Sequence, residues 1–146
     1  MAPQLRNNLK FLLIDDSKAT NFFNKVMIEK VATPKDLKIA VNGLDALNIL
    51  NLPYIPDLIF LDINMPVMDG WEFLKEFQKL DTRFKNVSIM IMLGVELPLE
   101  KKVLIHTIPN VKGCTGKMLT RDIIQNVIAR LNDSTLTGLD NTTSGC

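Results

Sequence analysis

Short, purely apolar runs alternate along the chain with segments in which apolar residues recur every three or four positions. Apolar runs of this length are typical of strands buried on both faces of a parallel sheet. Five of them predict β-strands, at Lys10–Asp15, Leu37–Val41, Asp57–Leu61, Ser88–Leu93 and Val111–Cys114.

The intervening segments predict amphipathic helices. Ser17 is a suitable N-cap for a first helix that runs to about Val31. We expect Phe22, Phe23, Val26 and Met27 to form the apolar face of this helix. Four further helices are predicted around Leu44–Leu50, at Trp71–Leu80, at Leu97–Thr107 and after the capping residue Thr120.

Five strand-helix units with short connections predict an α/β fold, with an open parallel sheet and helices on both faces. The 146 residues fit one domain. We place this domain at residues 8–131. The segment 132–146 is rich in Ser, Thr, Asn and Gly, and we expect it to be a disordered tail.

Composition narrows the function classes. A formal net charge of +1 gives no electrostatic reason to expect nucleic acid as a partner. No apolar stretch is long enough to span a membrane, and Met1–Lys10 lacks the apolar core of a secretory signal. We therefore expect a cytoplasmic protein. The two cysteines and the single histidine do not have the spacing of a zinc site.

Three aspartates follow two of the apolar runs. The pair Asp15-Asp16 comes after Phe11–Ile14, and Asp62 comes after Leu58–Leu61. In open parallel sheets, sites form beyond the carboxyl ends of the strands, where the strand order reverses. If these strands are neighbours, three carboxylates share one crevice, which is costly without a cation. A set of oxygen ligands suits Mg²⁺.

Each residue also has a plainer interpretation. An Asp pair before a helix is by itself more often a capping group than a metal site, and the third carboxylate reverses that preference. Asp16 is the better direct ligand, and Asp15 could act through water. Asp62 could accept a phosphoryl group or serve only as another ligand, and the residues alone leave both open. Lys117 follows the fifth strand and could reach the crevice or lie in solvent.

The stretch Pro56–Gly70 (PDLIFLDINMPVMDG) resembles a response-regulator receiver domain, and so do Leu12–Ser17 and Asn42–Leu47. The resemblance covers about residues 8–131. It implies a flavodoxin-like, doubly wound five-stranded parallel sheet with strand order 2-1-3-4-5. Such a domain is a signalling module and not an enzyme.

The resemblance also implies roles for individual residues. Asp62 would be phosphorylated by a histidine kinase or a histidine phosphotransfer protein. Mg²⁺ would be held by Asp16, Asp62 and the backbone carbonyl of Asn64, with Asp15 acting through water. Lys117 would contact the phosphoryl group.

Three positions depart from the family pattern. Gly94 stands where the family usually has Ser or Thr, Cys114 where it has an aromatic residue, and Met118 where it has proline. A non-proline cis bond costs roughly 3 kcal/mol, so we expect the Lys117–Met118 bond to be trans or unusually braced.

Two receiver hypotheses follow from these departures. In the favoured one, Asp62 is still phosphorylated, and the domain signals by docking a downstream protein that the sequence does not identify. Output would come from docking, since no sequence remains for a DNA-binding or enzymatic output domain. The docking face would be formed by the fourth helix, the fifth strand and the fifth helix. The domain could also pass its phosphate onward. In the alternative, a pseudo-receiver acts as an interaction module independent of phosphorylation.

A Mg²⁺-dependent phosphohydrolase is a third and disfavoured hypothesis. Enzymes of that class with an aspartyl nucleophile commonly carry a second Asp two residues further on as acid and base. Position 64 is Asn, which is poor at that work.

Overall fold

The computed structural model describes residues 8–132. Its strands are β1 (Lys10–Ile14), β2 (Asp36–Ala40), β3 (Leu58–Asp62), β4 (Ser88–Leu93) and β5 (Val111–Gly116). Its helices are α1 (Lys18–Ala32), α2 (Gly43–Leu50), α3 (Gly70–Phe77), α4 (Leu99–His106) and α5 (Arg121–Asn132), with a 3₁₀ turn at Thr82–Phe84. Residues 133–146, most of the predicted tail, lie outside the described part.

All five strands are parallel and form one sheet with the order β2-β1-β3-β4-β5. The predicted fold class and strand order are confirmed. The chain leaves β1 toward β2 on one side and returns to β3 on the other. The strand order therefore reverses between β1 and β3, and their carboxyl ends open a crevice at that point.

Alternate residues of the central strands feed two hydrophobic clusters, one on each face of the sheet. Leu12 and Ile59 face a cluster that is completed by α2, α3 and α4. Phe11 and Phe60 face the other cluster, completed by α1 and α5. Because β1 and β3 are buried on both faces, the positions of their carboxyl ends are fixed by packing from both sides.

The expected apolar face of α1 is wrong for its two phenylalanines, whereas Val26 and Met27 are half-buried and Met27 packs against the core. Phe22 is 68% exposed and Phe23 is 39% exposed. The buried face instead consists of Asn21, Asn24, Ile28 and Ala32. Both asparagines are buried because their amides bind backbone groups of the site, as described below.

Other predicted elements differ only at their ends. Ser17 caps α1 as expected, and its Oγ accepts a hydrogen bond from the Thr20 amide at 3.2 Å. Helix α4 begins two residues later than predicted, with Pro98 as its N-cap and His106 at its C-terminal end. Strand β5 continues to Gly116 because its pairing with β4 extends that far. No helix within residues 8–132 has the length and apolar character needed to cross a bilayer.

Candidate functional site

The structure brings the three predicted aspartates together. One carboxylate oxygen from each of Asp15, Asp16 and Asp62 lies within 4.8 Å of the other two. Asp15 follows the last residue of β1, and Asp62 is the last residue of β3. Asp15 and Asp62 are buried, whereas Asp16 is exposed to solvent. The acidic group therefore has a buried floor and one carboxylate at its mouth.

The two buried carboxylates are only half satisfied. The Ser17 amide donates to Asp15 Oδ1 at 2.8 Å, and the Ile63 amide donates to Asp62 Oδ1 at 2.9 Å. The Oδ2 atoms of Asp15 and Asp62 are buried and accept no hydrogen bond from any residue between positions 8 and 132. An orphaned buried carboxylate oxygen is costly. The donor set therefore fits a hard divalent cation such as Mg²⁺.

Lys117, the residue after the end of β5, reaches the same group. Its Nζ lies 3.1 Å from Asp62 Oδ1. Burial lowers the pKa of the Lys117 ammonium, but the hydrogen bond to Asp62 and the nearby charges of Asp62, Asp15 and Asp16 outweigh burial and leave the pKa raised. The lysine is therefore a charged partner of Asp62 at neutral pH.

Asp15 has the opposite balance. Burial raises the pKa of the Asp15 carboxyl above its ordinary value of 3.8. The Ser17 amide opposes this shift, and the charge of Asp62 adds to it. A buried carboxylate beside a second one is destabilised in its charged form, so a cation bound here would stabilise that charged form.

The backbone after Asp62 is held close to the carboxyl end of β3 by Gly70. The Gly70 amide donates to the Ile63 carbonyl at 2.8 Å. A Cβ at position 70 would lie 2.7 Å from the backbone oxygen of Asp62, so only glycine allows this approach. Asp69 caps α3 with a reciprocal capping box to Glu72. The Asp-Gly pair thus starts α3 tightly against β3.

Sequence reasoning missed the residue that braces Lys117. The Asn24 side chain on α1 donates to the Lys117 carbonyl at 2.9 Å and accepts from the Leu119 amide at 2.9 Å. This clamp spans the position of Met118. The only cis bond within residues 8–132 is Leu52–Pro53, so the Lys117–Met118 bond is trans, as expected. The spacing of Asn21, Asn24 and Ile28 on one helical face was the available signal.

A cavity of about 210 Å³ adjoins Asp62 on the side of α4. Asn64, Gly94 and Lys117 are among its lining residues. Leu93, the last residue of β4, also lines it, and neither Leu93 nor Gly94 carries a hydroxyl group. Cys114 is buried on β5, and Met118 is 50% exposed.

The strand order and the acidic group at the carboxyl edge of the sheet are those of a flavodoxin-like signalling domain. The sequence model of the response regulator receiver domain family matches residues 11–104, and the chain belongs to this family. Receiver domains of the CheY type are signalling modules and not enzymes, although some matched relatives are protein-glutamate methylesterases.

Individual relatives agree with this assignment. The chain is 26% identical to a two-component response regulator from Cytophaga hutchinsonii of known structure, with a TM-score of 0.78 over 88% of this chain and 100% of that one. It is 33% identical to sporulation initiation phosphotransferase F of Bacillus subtilis over 87 residues. This matched stretch covers 58% of this chain and 64% of the relative.

A longer relative matches only in part. The sensor histidine kinase CheAY of Helicobacter pylori is 39% identical over 82 residues, which span 54% of this chain and 10% of the relative.

Proposed function

We propose that this chain is a phosphoacceptor receiver that takes a phosphoryl group on Asp62 and signals by protein–protein docking. The observation that carries the proposal is the asymmetry of the Asp62 carboxylate. Its Oδ1 is held by Lys117 and by the Ile63 amide, while its Oδ2 accepts no hydrogen bond from the part of the chain at residues 8–132. One oxygen is thus fixed, and the other has its lone pairs free to attack phosphorus.

The donor is a phosphohistidine on a histidine kinase or a phosphotransfer protein. Asp62 Oδ2 forms a new bond to phosphorus while the bond between phosphorus and the donor imidazole nitrogen breaks. The electron pair returns to that nitrogen, which takes up a proton from solvent. Lys117 stays on Oδ1 during attack and is close enough to bind an oxygen of the transferred group.

The residues that would hold Mg²⁺ are Asp16, Asp62 and the backbone carbonyl of Asn64, with Asp15 acting through water. When bound, the ion supplies positive charge that offsets the repulsion between the carboxylate and the phosphoryl oxygens. The orphaned Oδ2 of Asp15 supports this ligand set, since a water bound to the ion could donate to it.

The phosphoryl group should be held less tightly than in a site that contributes a hydroxyl. A side chain at position 94 has room, since its Cβ would meet only Lys117 Cε, at 3.9 Å. We expect Gly94→Thr to slow phosphoryl loss by roughly tenfold, the effect of one added hydrogen bond to a charged group. Equal or slower loss in the wild type would contradict this expectation.

Output would come from the face formed by α4, β5 and α5. Helix α4 exposes Leu99, Val103 and Leu104, which is an unusual density of apolar side chains for a solvent-facing helix. Phosphorylation would shift an existing equilibrium between two arrangements of this face, and a downstream protein would bind one of them.

Incubation with Mg²⁺ and acetyl phosphate, followed by intact-mass measurement, tests the proposal. We expect the wild type to gain the mass of one phosphoryl group and Asp62→Asn to gain none. Asp45→Asn, which changes an aspartate of α2 outside the acidic group, is the matched control and should behave as the wild type. Mg²⁺ binding without any mass gain would reject the proposal and favour the phosphorylation-independent interaction module.

A further inference from the structure

The cavity beside Asp62 has a second lysine in its wall. Lys101, the third residue of α4, lines the cavity together with Asp62, Lys117 and Trp71. Lys117 is already bound to Asp62 at 3.1 Å. Lys101 is thus the cationic side chain in this wall that the proposed chemistry does not use.

Lys101 is held in its present place only weakly. Its Nζ lies 4.7 Å from the centroid of the Trp71 ring, a cation–π contact. Within residues 8–132 it has no carboxylate within ion-pair distance, whereas the adjacent Lys102 bonds Glu96 at 2.7 Å. Both lysines lie in the first turn of α4, where the helix dipole disfavours a positive charge. Lys101 therefore lacks an anion in the structure as it stands.

A phosphoryl group on Asp62 would supply that anion at the shared cavity. The end of β4 offers no hydroxyl there, since Leu93 and Gly94 occupy it. A charge-assisted hydrogen bond to a phosphoryl oxygen is stronger than an accessible lysine–indole contact. The balance of attractions on Lys101 would thus change when Asp62 is modified.

We propose that Lys101 is the phosphate-sensing residue of this domain: it leaves Trp71 and pairs with a phosphoryl oxygen on Asp62. This inference rests on the proposed function. The exchange draws the first turn of α4 toward the acidic group and alters the surface that presents Leu99 and Val103. It thereby links the modified aspartate to the output face without a hydroxyl group at the end of β4.

Trp71 is the only tryptophan of the chain, so its fluorescence reports on this contact directly. The experiment follows tryptophan emission and intact mass in the same samples, first with Mg²⁺ alone and then after addition of acetyl phosphate. The variants are Lys101→Gln and the matched control Lys102→Gln, which changes the neighbouring lysine that already has its carboxylate.

We expect the wild type and Lys102→Gln to gain a phosphoryl group and to change their emission as the mass rises. Lys101→Gln should gain the same mass with no accompanying emission change, and should lose the phosphoryl group on the order of tenfold faster, as expected for one charge-assisted hydrogen bond. Lys101→Gln matching the wild type in both readouts would overturn the inference alone. A wild type that gains no mass would reject the proposed function and this inference with it.

Discussion

Asn24 makes two hydrogen bonds that join α1 to the segment carrying Lys117. Replacing Asn24 should therefore lower the free energy of unfolding substantially. Asn24→Ala leaves the Lys117 carbonyl and the Leu119 amide without their partner. Losing the partner of the buried Leu119 amide costs about 1–3 kcal/mol, and the partly buried Lys117 carbonyl costs toward the lower end of that range. Alanine returns roughly 0.5 kcal/mol through its higher helix propensity. The expected net loss in the free energy of unfolding is about 3 kcal/mol.

Asn21→Ala is the matched control on the same buried face of α1. Asn21 makes one hydrogen bond, from Nδ2 to the Asp15 carbonyl at 2.8 Å, and its Oδ1 has no partner within the described residues. Its loss should therefore cost only about 1 kcal/mol. For a domain of this size, the difference corresponds to a melting temperature roughly 8 °C lower for Asn24→Ala than for Asn21→Ala.

Urea unfolding followed by far-ultraviolet circular dichroism measures both free energies, and an unchanged m-value shows that the midpoints can be compared. If Asn24→Ala is no less stable than Asn21→Ala, the clamp does not hold the Lys117 segment and the reasoning is wrong.

Three further predictions concern the same edge of the sheet. Gly70→Ala should lower the free energy of unfolding by about 1–3 kcal/mol, because its Cβ would meet the Asp62 backbone oxygen at 2.7 Å. Gly116→Ala is the control, since a Cβ at position 116 would meet nothing within 4 Å. Equal urea midpoints for the two variants would contradict the prediction. Val67→Asn should raise stability by about 1 kcal/mol, because the exposed β-branched Val67 has a φ of 69° and asparagine tolerates that region better; an unchanged or lower urea midpoint would count against it. In EDTA at neutral pH, Asp15→Asn should be more stable than the wild type.

The pH dependence of the Asp15 effect follows from the direction of its pKa shift. Burial raises the pKa of Asp15 in the folded state above 3.8, so the folded protein binds the proton more tightly than the unfolded chain. Wild-type stability therefore falls as pH rises from 3.8 through the raised pKa, and Asp15→Asn escapes this loss. Melting curves in EDTA should show the advantage of the variant shrinking as pH falls through the raised pKa of Asp15 toward 3.8, with little further change below 3.8. An advantage independent of pH would show that ionisation of Asp15 is not its cause.

The fold and the acidic group could be predicted because their signals are local. Runs such as Leu58–Leu61 are apolar on both faces, and only a central parallel strand buries both. The carboxyl ends of neighbouring parallel strands meet at one edge, so Asp15 and Asp62 follow from the strand assignment. The turn at Asp69 and Gly70 could also be predicted locally, because aspartate and glycine each favour turn conformations.

The buried face of α1 could not be predicted in the same way. Asn24 is inside because of backbone groups at positions 117 and 119, more than 90 residues away along the chain. Hydropathy ranks Phe22 and Phe23 above asparagine and so selects the wrong face. The contact of Lys101 with Trp71 depends likewise on how α3 and α4 pack, which no local pattern records.

The acidic group of this domain lies at the carboxyl ends of two deeply buried strands. Strands β1 and β3, whose carboxyl ends hold the buried aspartates, lie between other strands and are covered on each side, whereas the helices around them present water-facing residues. Single substitutions on the outer faces of the helices can therefore change the surface while the acidic group stays in place. Copies of such a scaffold can diverge on the surface that other proteins would meet and still hold the same three carboxylates together.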